Sequence, residues 1–188
     1  MTAEVGGLSP LKRARRAKIV TAARERFVAD GFRATTMEGI AAAARMSKVT
    51  LYGYFTDKDA VFLAVTEALA AEIEEAVTAE LGAGRPAPAC IAAALVAKHA
   101  LVARVVRGSP HAAELFAAKN RTAARVFAEL DGRIEEQIAA TLNDPDAEDT
   151  ARLLFASAQG IANHVASAEK READIRRVVA AVLARDGA

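Results

Sequence analysis

Apolar residues return every three or four positions along most of this chain, and the rhythm stops at Gly, Pro, Ser, Thr and Asp. Ser9-Pro10 opens the first helix, a capping hydroxyl followed by proline at the first helical position. Ile19, Val20, Ala23 and Phe27 then recur at helical spacing, and Gly31 ends the run. Thr35-Thr36-Met37-Glu38 reads as a capping box, Thr35 paired with Glu38, ahead of a short helix to about Ala44. A tight link, Arg45-Met46, leads to a second cap at Ser47 and a helix ending near Phe55. Thr56 or Asp57 caps the next, whose stripe is Val61, Phe62, Val65, Leu69, Ile73 and Val77.

The segment Gly82 to Pro88 is the clearest turn or linker. Beyond it the pattern predicts helices at about 88–107, 110–118, 120–142, 147–166 and 170–185. The breaks between them are Gly108-Ser109-Pro110, Asn143-Asp144-Pro145 and the polar run Ser167 to Arg171. There is no strand signal and no internal repeat. The expectation is an all-α protein of about nine helices.

Composition sharpens this in three ways. Hydrophobic residues make up 53 % of 188, enough for one domain or two small ones sharing a core. Alanine is abundant, Trp absent and aromatics 5 %, which suits close helix packing. No uninterrupted apolar run reaches the roughly 18 residues of a membrane span, and no apolar signal core follows Lys12, Arg13, Arg15, Arg16 and Lys18. The expected setting is cytoplasmic, without a membrane partner. The single Cys90 excludes an internal disulfide and reads as a small buried side chain. Charge is split along the chain: residues 1–58 hold 11 Lys+Arg against 5 Asp+Glu, net +6, and the remainder 14 against 19, net −5. A basic end on an acidic body suits a polyanionic partner.

On a helical wheel, Leu51 and Phe55 share the inward side of the 47–55 helix. The outward side holds Val49, Thr50 and Gly53, flanked by Tyr52 and Tyr54, with Lys48 at the boundary. A free surface helix gains from Glu, Lys or Ala there. A helix pressed into the DNA major groove gains from small residues, which let its backbone approach the bases, and from hydroxyls that reach phosphates. Gly53 costs about 1 kcal/mol of helix propensity against alanine, and close approach to a ligand is one reason to carry it. With the short helix before it, the segment forms a helix-turn-helix at about 36–55 whose second helix enters the groove. Thr36 and Lys58 would stand beside the DNA backbone.

The stretch "IVTAARERFVADGFRATTMEGIAAAARMSKVTLYGYFTDKDAVFLAV" resembles the N-terminal domain of TetR/AcrR-type transcriptional regulators, over about residues 13–73. The resemblance rests on the order A-x-x-x-F, G-F, T-T and I-A, on S-K-x-T-L-Y-x-Y-F, and on the D-K opening the fourth helix. It implies a three-helix DNA-binding domain at 13–73 and a helical ligand-binding and dimerisation domain at 74–188. It implies DNA contacts from Thr36, Ser47, Lys48, Val49, Thr50, Tyr52, Tyr54 and Lys58, with Leu51 and Phe55 in the core. Gly53 departs from the family pattern, where His or another large polar residue is frequent, so a phosphate contact is missing there. Val49 offers only apolar contact, to a thymine methyl.

The resemblance also implies a homodimer joined through the last two long helices. Leu153, Leu154, Ala158, Ile161, Ala162 and Val165 form one apolar face, and Ile175, Val178, Val179, Val182 and Leu183 another. Candidate ligand-binding residues are those that break apolar stripes: His99, Arg107, His111, Phe116, Asn120, Phe155, Gln159, Asn163 and His164. The expected function is a dimeric, sequence-specific repressor that binds a palindromic double-stranded operator and is released by a small hydrophobic or amphipathic ligand. The alternative is a helical interaction adaptor with a vestigial DNA-binding head. No enzyme signature is present: no nucleophile elbow and no glycine-rich phosphate loop. No pair among His99, His111 and His164 has i, i+4 spacing, and residues 143–150 lack the central glycine and terminal glutamate of a calcium loop, so no metal or cofactor is expected.

Overall fold

The computed structural model describes residues 9–107, 109–142 and 144–184, without the side chains of Val106 and Arg107. Its helices are α1 (Pro10–Ala34), α2 (Met37–Ala43), α3 (Lys48–Tyr52), α4 (Lys58–Leu81), α5 (Ala87–Val102), α6 (Ala112–Thr122), α7 (Ala124–Thr141), α8 (Ala147–His164) and α9 (Ala168–Leu183). A π-helical turn, Ala103–Arg107, follows α5. No strand occurs among the described residues. The all-α expectation holds, with nine α-helices among those residues.

The chain divides into two compact units. The first is Met1–Leu69 with Val105–Ala124, and the second is Ala70–Arg104 with Arg125–Ala188. The expectation did not include α6 in the first unit.

Local chemistry explains the helix starts of the first unit. Ser9 Oγ accepts from the Lys12 amide, and Pro10 occupies the first turn of α1. Asp57 Oδ1 accepts from the Ala60 amide at 2.8 Å and so caps α4. The expected capping box does not form. The α2 cap is Thr36, whose Oγ1 accepts from the Gly39 amide at 3.0 Å, which puts Gly39 rather than Glu38 three residues after the cap. Thr35 is buried instead, and its hydroxyl donates to the Gly31 carbonyl at 2.6 Å.

Gly31 takes φ 82° and ψ 167° and bends α1 ahead of its last turn. The backbone angle there favours glycine, and a Cβ would lie 2.8 Å from Glu114 Oε2 and push that side chain aside. The bend frees backbone groups, which side chains of α6 and its approach satisfy. Ser109 donates to the Val28 carbonyl at 2.6 Å, and Glu114 accepts from the Arg33 amide. Around the bend, Phe27, Phe32 and Phe62 pack with ring centroids 5.1 to 5.7 Å apart. Ile19, Ile40, Leu51 and Leu115 complete this core. Truncating Phe27 to Ala would cost about 3–5 kcal/mol.

In the second unit, Ile91 and Leu95 of α5 are fully buried, as are Leu130, Ile134 and Ile138 of α7 and Leu154 of α8. Helix α5 packs on α8 and α9. The stretch Ala87–Val105 is long and apolar enough to cross a membrane by length and composition, although Lys98, His99 and Arg104 interrupt it. Its central residues Cys90 to Leu95 are buried in the second unit. Cys90 is buried, as expected.

Candidate nucleic-acid interface

Helix α2, its turn and α3 form the expected helix-turn-helix. Two crossed amide bonds close the turn, Met46 to the Ala41 carbonyl at 2.9 Å and Arg45 to the Ala42 carbonyl at 3.0 Å. This pairing needs a left-handed residue after the helix cap, and Arg45 supplies it with φ 54°. Ser47 then caps α3 by accepting from the Thr50 amide at 3.0 Å. Leu51, at 0 % exposure, and Phe55 pin α3 to the core beneath it.

That anchoring turns the rest of α3 outward. Val49 is 83 % exposed and Tyr52 44 %. Ser47 and Lys48 are exposed, Thr50 and Tyr54 half-buried, and Thr36 lies exposed at the start of α2. Helix α3 ends at Tyr52 rather than near Phe55, and Gly53 caps it with an ordinary φ of −70°. Gly53 therefore meets no conformational demand, and a Cβ there would touch only the Thr50 and Val49 carbonyls of its own helix.

Ser47, Thr50 and Lys48 of this face have partners within the helix-turn-helix. Ser47 and Thr50 hydroxyls share a hydrogen bond of 2.8 Å. Lys48 donates to Glu38 Oε1 of α2, and its Nζ lies 5.8 Å from the Tyr52 ring centre. That hydrogen bond holds the Glu38 carboxyl below the usual carboxylate range and raises the Lys48 ammonium above its own. A docking polyanion offers acceptors for the Ser47 and Thr50 hydroxyls.

Lys58, expected beside the DNA backbone, has intramolecular partners in the absence of DNA. Its ammonium donates to the carbonyls of Phe32 at 2.7 Å, Thr35 at 2.8 Å and Arg33 at 3.2 Å, and stands 4.6 Å over the Phe32 ring. Three acceptors match the three donors of an ammonium. Packing brings the start of α4 against the carbonyls at the end of α1, and that part-buried cluster of acceptors holds the ammonium.

The candidate ligand residues do not gather into one site within either unit. His111, Phe116 and Asn120 belong to the first unit, and His99, Phe155, Gln159, Asn163 and His164 to the second. The Arg107 side chain lies outside the described residues. His164 is exposed and its Nδ1 lies 2.9 Å from the Gly160 carbonyl. Gln159 and Phe155 do meet, through a residue absent from the sequence reading. Lys98, 3 % exposed, donates to Gln159 Oε1 at 3.1 Å, lies 3.1 Å from Asp131 Oδ1 and sits 4.1 Å over the Phe155 ring. Its signal in the sequence was a lone lysine inside an alanine-rich apolar helix. His99 lines a separate pocket of about 150 Å³ with Val96, Arg171 and Ile175.

The apolar faces of α8 and α9 are each split by packing. Leu154, Ala158, Ala162, Ile175 and Val179 are buried inside the second unit. Leu153 is 54 % exposed, and Ile161, Val165, Val178, Val182 and Leu183 are half-buried, leaving these six at least partly accessible.

Residues 19–65 match the family model described as "Bacterial regulatory proteins, tetR family". No curated protein matches the chain. Among solved structures, the fold is similar to a transcriptional regulator of Rhodococcus sp. RHA1, with 17 % identity, 90 % of this chain and 96 % of that chain covered, and a TM-score of 0.70. A TetR-family regulator of Streptomyces coelicolor superposes with 17 % identity, 92 % and 97 % coverage and a TM-score of 0.67. A TetR/AcrR-family regulator of Thermobifida fusca does so with 24 % identity, 88 % and 96 % coverage and a TM-score of 0.62.

Proposed function

We propose that this chain, a member of the TetR/AcrR family of bacterial transcriptional regulators, works as a homodimeric repressor that reads a palindromic operator and is released by a small amphipathic ligand. The observation that carries DNA reading is the outward face of α3. Val49 stands almost fully exposed on a five-residue helix whose other side, through Leu51, is completely buried. Such a helix gains nothing in water from Val49 and Tyr52, and gains apolar and hydroxyl contacts in a major groove.

In this reading Ser47, Lys48, Val49, Thr50, Tyr52 and Tyr54 meet DNA, Thr36 meets a phosphate, and Lys58 positions rather than contacts. Dimerisation uses the accessible residues Leu153, Ile161, Val165, Val178 and Val182. Two recognition helices about one DNA turn apart then require two half-sites. Helix α4 contributes Lys58–Leu69 to the first unit and Ala70–Leu81 to the second. A ligand acts to the extent that its affinity differs between the DNA-competent and released states.

The test is footprinting on the DNA upstream of the protein's own gene at fixed salt. A protected palindrome with a steep negative log–log salt slope supports the reading. Flat salt dependence and no protected site on genome-wide fragments would instead favour a helical adaptor with an unused head.

A further inference from the structure

The DNA-facing surface carries one acidic side chain. From Thr36 to Phe55, Glu38 is the only Asp or Glu in the sequence. A carboxylate on a surface meant for a polyanion opposes binding. Its sequence context suggested a capping box, but the cap at Thr36 leaves Glu38 without that role. Its carboxylate reaches across to α3 instead and accepts from Lys48, with both side chains more than half exposed.

We propose that Glu38 is a specificity-determining residue, which screens Lys48 from phosphates while leaving Lys48 able to read a base edge. An ammonium has three donors, and Glu38 accepts from one. The Tyr52 ring, 5.8 Å from Nζ, limits where the others point. A neutral pair releases little counterion when it meets a phosphate, so Lys48 adds little to sequence-independent binding. Its directional hydrogen bonds to guanine O6 and N7 remain available. Random DNA presents phosphates in every register but presents that acceptor pair only where the right base stands. Glu38 therefore weakens binding to wrong sites more than binding to the operator. The same hydrogen bond lowers the Glu38 carboxyl and raises the Lys48 ammonium from their ordinary values, which keeps both partners charged.

This inference rests on α3 being the recognition helix. Its test compares wild type with Glu38→Gln on the footprinted operator and on a scrambled duplex of equal length, across a fourfold range of salt. Glu38→Gln should expose about one further phosphate-seeking charge per head. The slope on scrambled DNA should steepen by about 0.9 per head, so that binding becomes about 3.5-fold more salt-sensitive per head over that range. The ratio of operator to scrambled affinity should fall, Glu38→Ala should act in the same direction, and neither change should matter in a Lys48→Ala background. Unchanged slope and ratio, with wild-type operator binding intact, would overturn this inference alone. A wild-type protein that binds no duplex would overturn the recognition-helix reading and this inference with it.

Discussion

Replacing Lys58 by Met separates two roles for that residue. Methionine keeps an unbranched stem over the Phe32 ring but removes the ammonium and its three hydrogen bonds, at 2.7, 2.8 and 3.2 Å. A hydrogen bond to a charged group contributes about 1.5–3 kcal/mol net, and the three share one ammonium, so they do not add. Two of the carbonyls belong to buried residues, Phe32 and Thr35, and lose this partner. The cation over the Phe32 ring adds about 0.5–1 kcal/mol. The expected loss is about 2–4 kcal/mol, a large part of a typical 5–15 kcal/mol. With an m-value of about 2 kcal/mol per molar urea, the unfolding midpoint should fall by about 1–2 M. Below that midpoint, the salt slope of DNA binding should not change. A phosphate-contacting lysine would behave in the opposite way, with stability within about 0.5 kcal/mol and a slope lower by about 0.9 per head. That second result would refute the assignment of Lys58 as a clamp.

Gly31→Ala should destabilise the first unit by about 1–3 kcal/mol, read from the melting temperature, because a side chain at φ 82° is strained and its Cβ displaces Glu114 from the Arg33 amide. Gly53→Ala should leave the melting temperature nearly unchanged and weaken operator affinity in fluorescence anisotropy; unaltered affinity would remove close approach as the reason for glycine there. Arg133 donates to both oxygens of Glu74, at 2.7 and 2.9 Å, and holds its carboxyl below the usual range. Because the folded-state pKa is the lower one, this pair stabilises the fold above the ordinary glutamate pKa of about 4 and ceases to do so as pH falls through the depressed value. Glu74→Gln should thus cost about 0.2–1 kcal/mol at pH 7, the small figure reflecting partial exposure, and the difference from wild type should vanish in acid; a difference that persists there would show another cause.

Helix existence was legible because its signals are local. Caps at Ser9, Ser47 and Asp57 act on amides three residues away, and the apolar stripes of α1 and α4 carry their own period. The inward side of α3 was legible for the same reason: Leu51 and Phe55 are four residues apart and both are buried. One reading failed where a residue had a distant competitor. Thr35 looked like a cap, but burial beside the α1 bend directs its hydroxyl to Gly31 and Arg26 and shifts the cap to Thr36. Lys58 was expected beside the DNA backbone, and without DNA its ammonium is held by carbonyls 23 to 26 residues earlier in the chain.

The sequence by itself determined an all-helical chain, a helix-turn-helix and the composition of its outward face. Each follows from interactions spanning a turn or two of helix. It placed the α6–α7 break near 119, where the structure has it at Ala123, and it read Ala168 to Arg171 as a break where α9 begins. Only the tertiary structure decided that α6 belongs with the N-terminal helices, that Glu38 holds Lys48, that Lys58 closes the end of α1 and that Lys98 lies buried beside Phe155 and Gln159. A long charged side chain reaches several angstroms in many directions, and which acceptor it meets depends on which helices pack beside it. No periodicity along the chain encodes that choice.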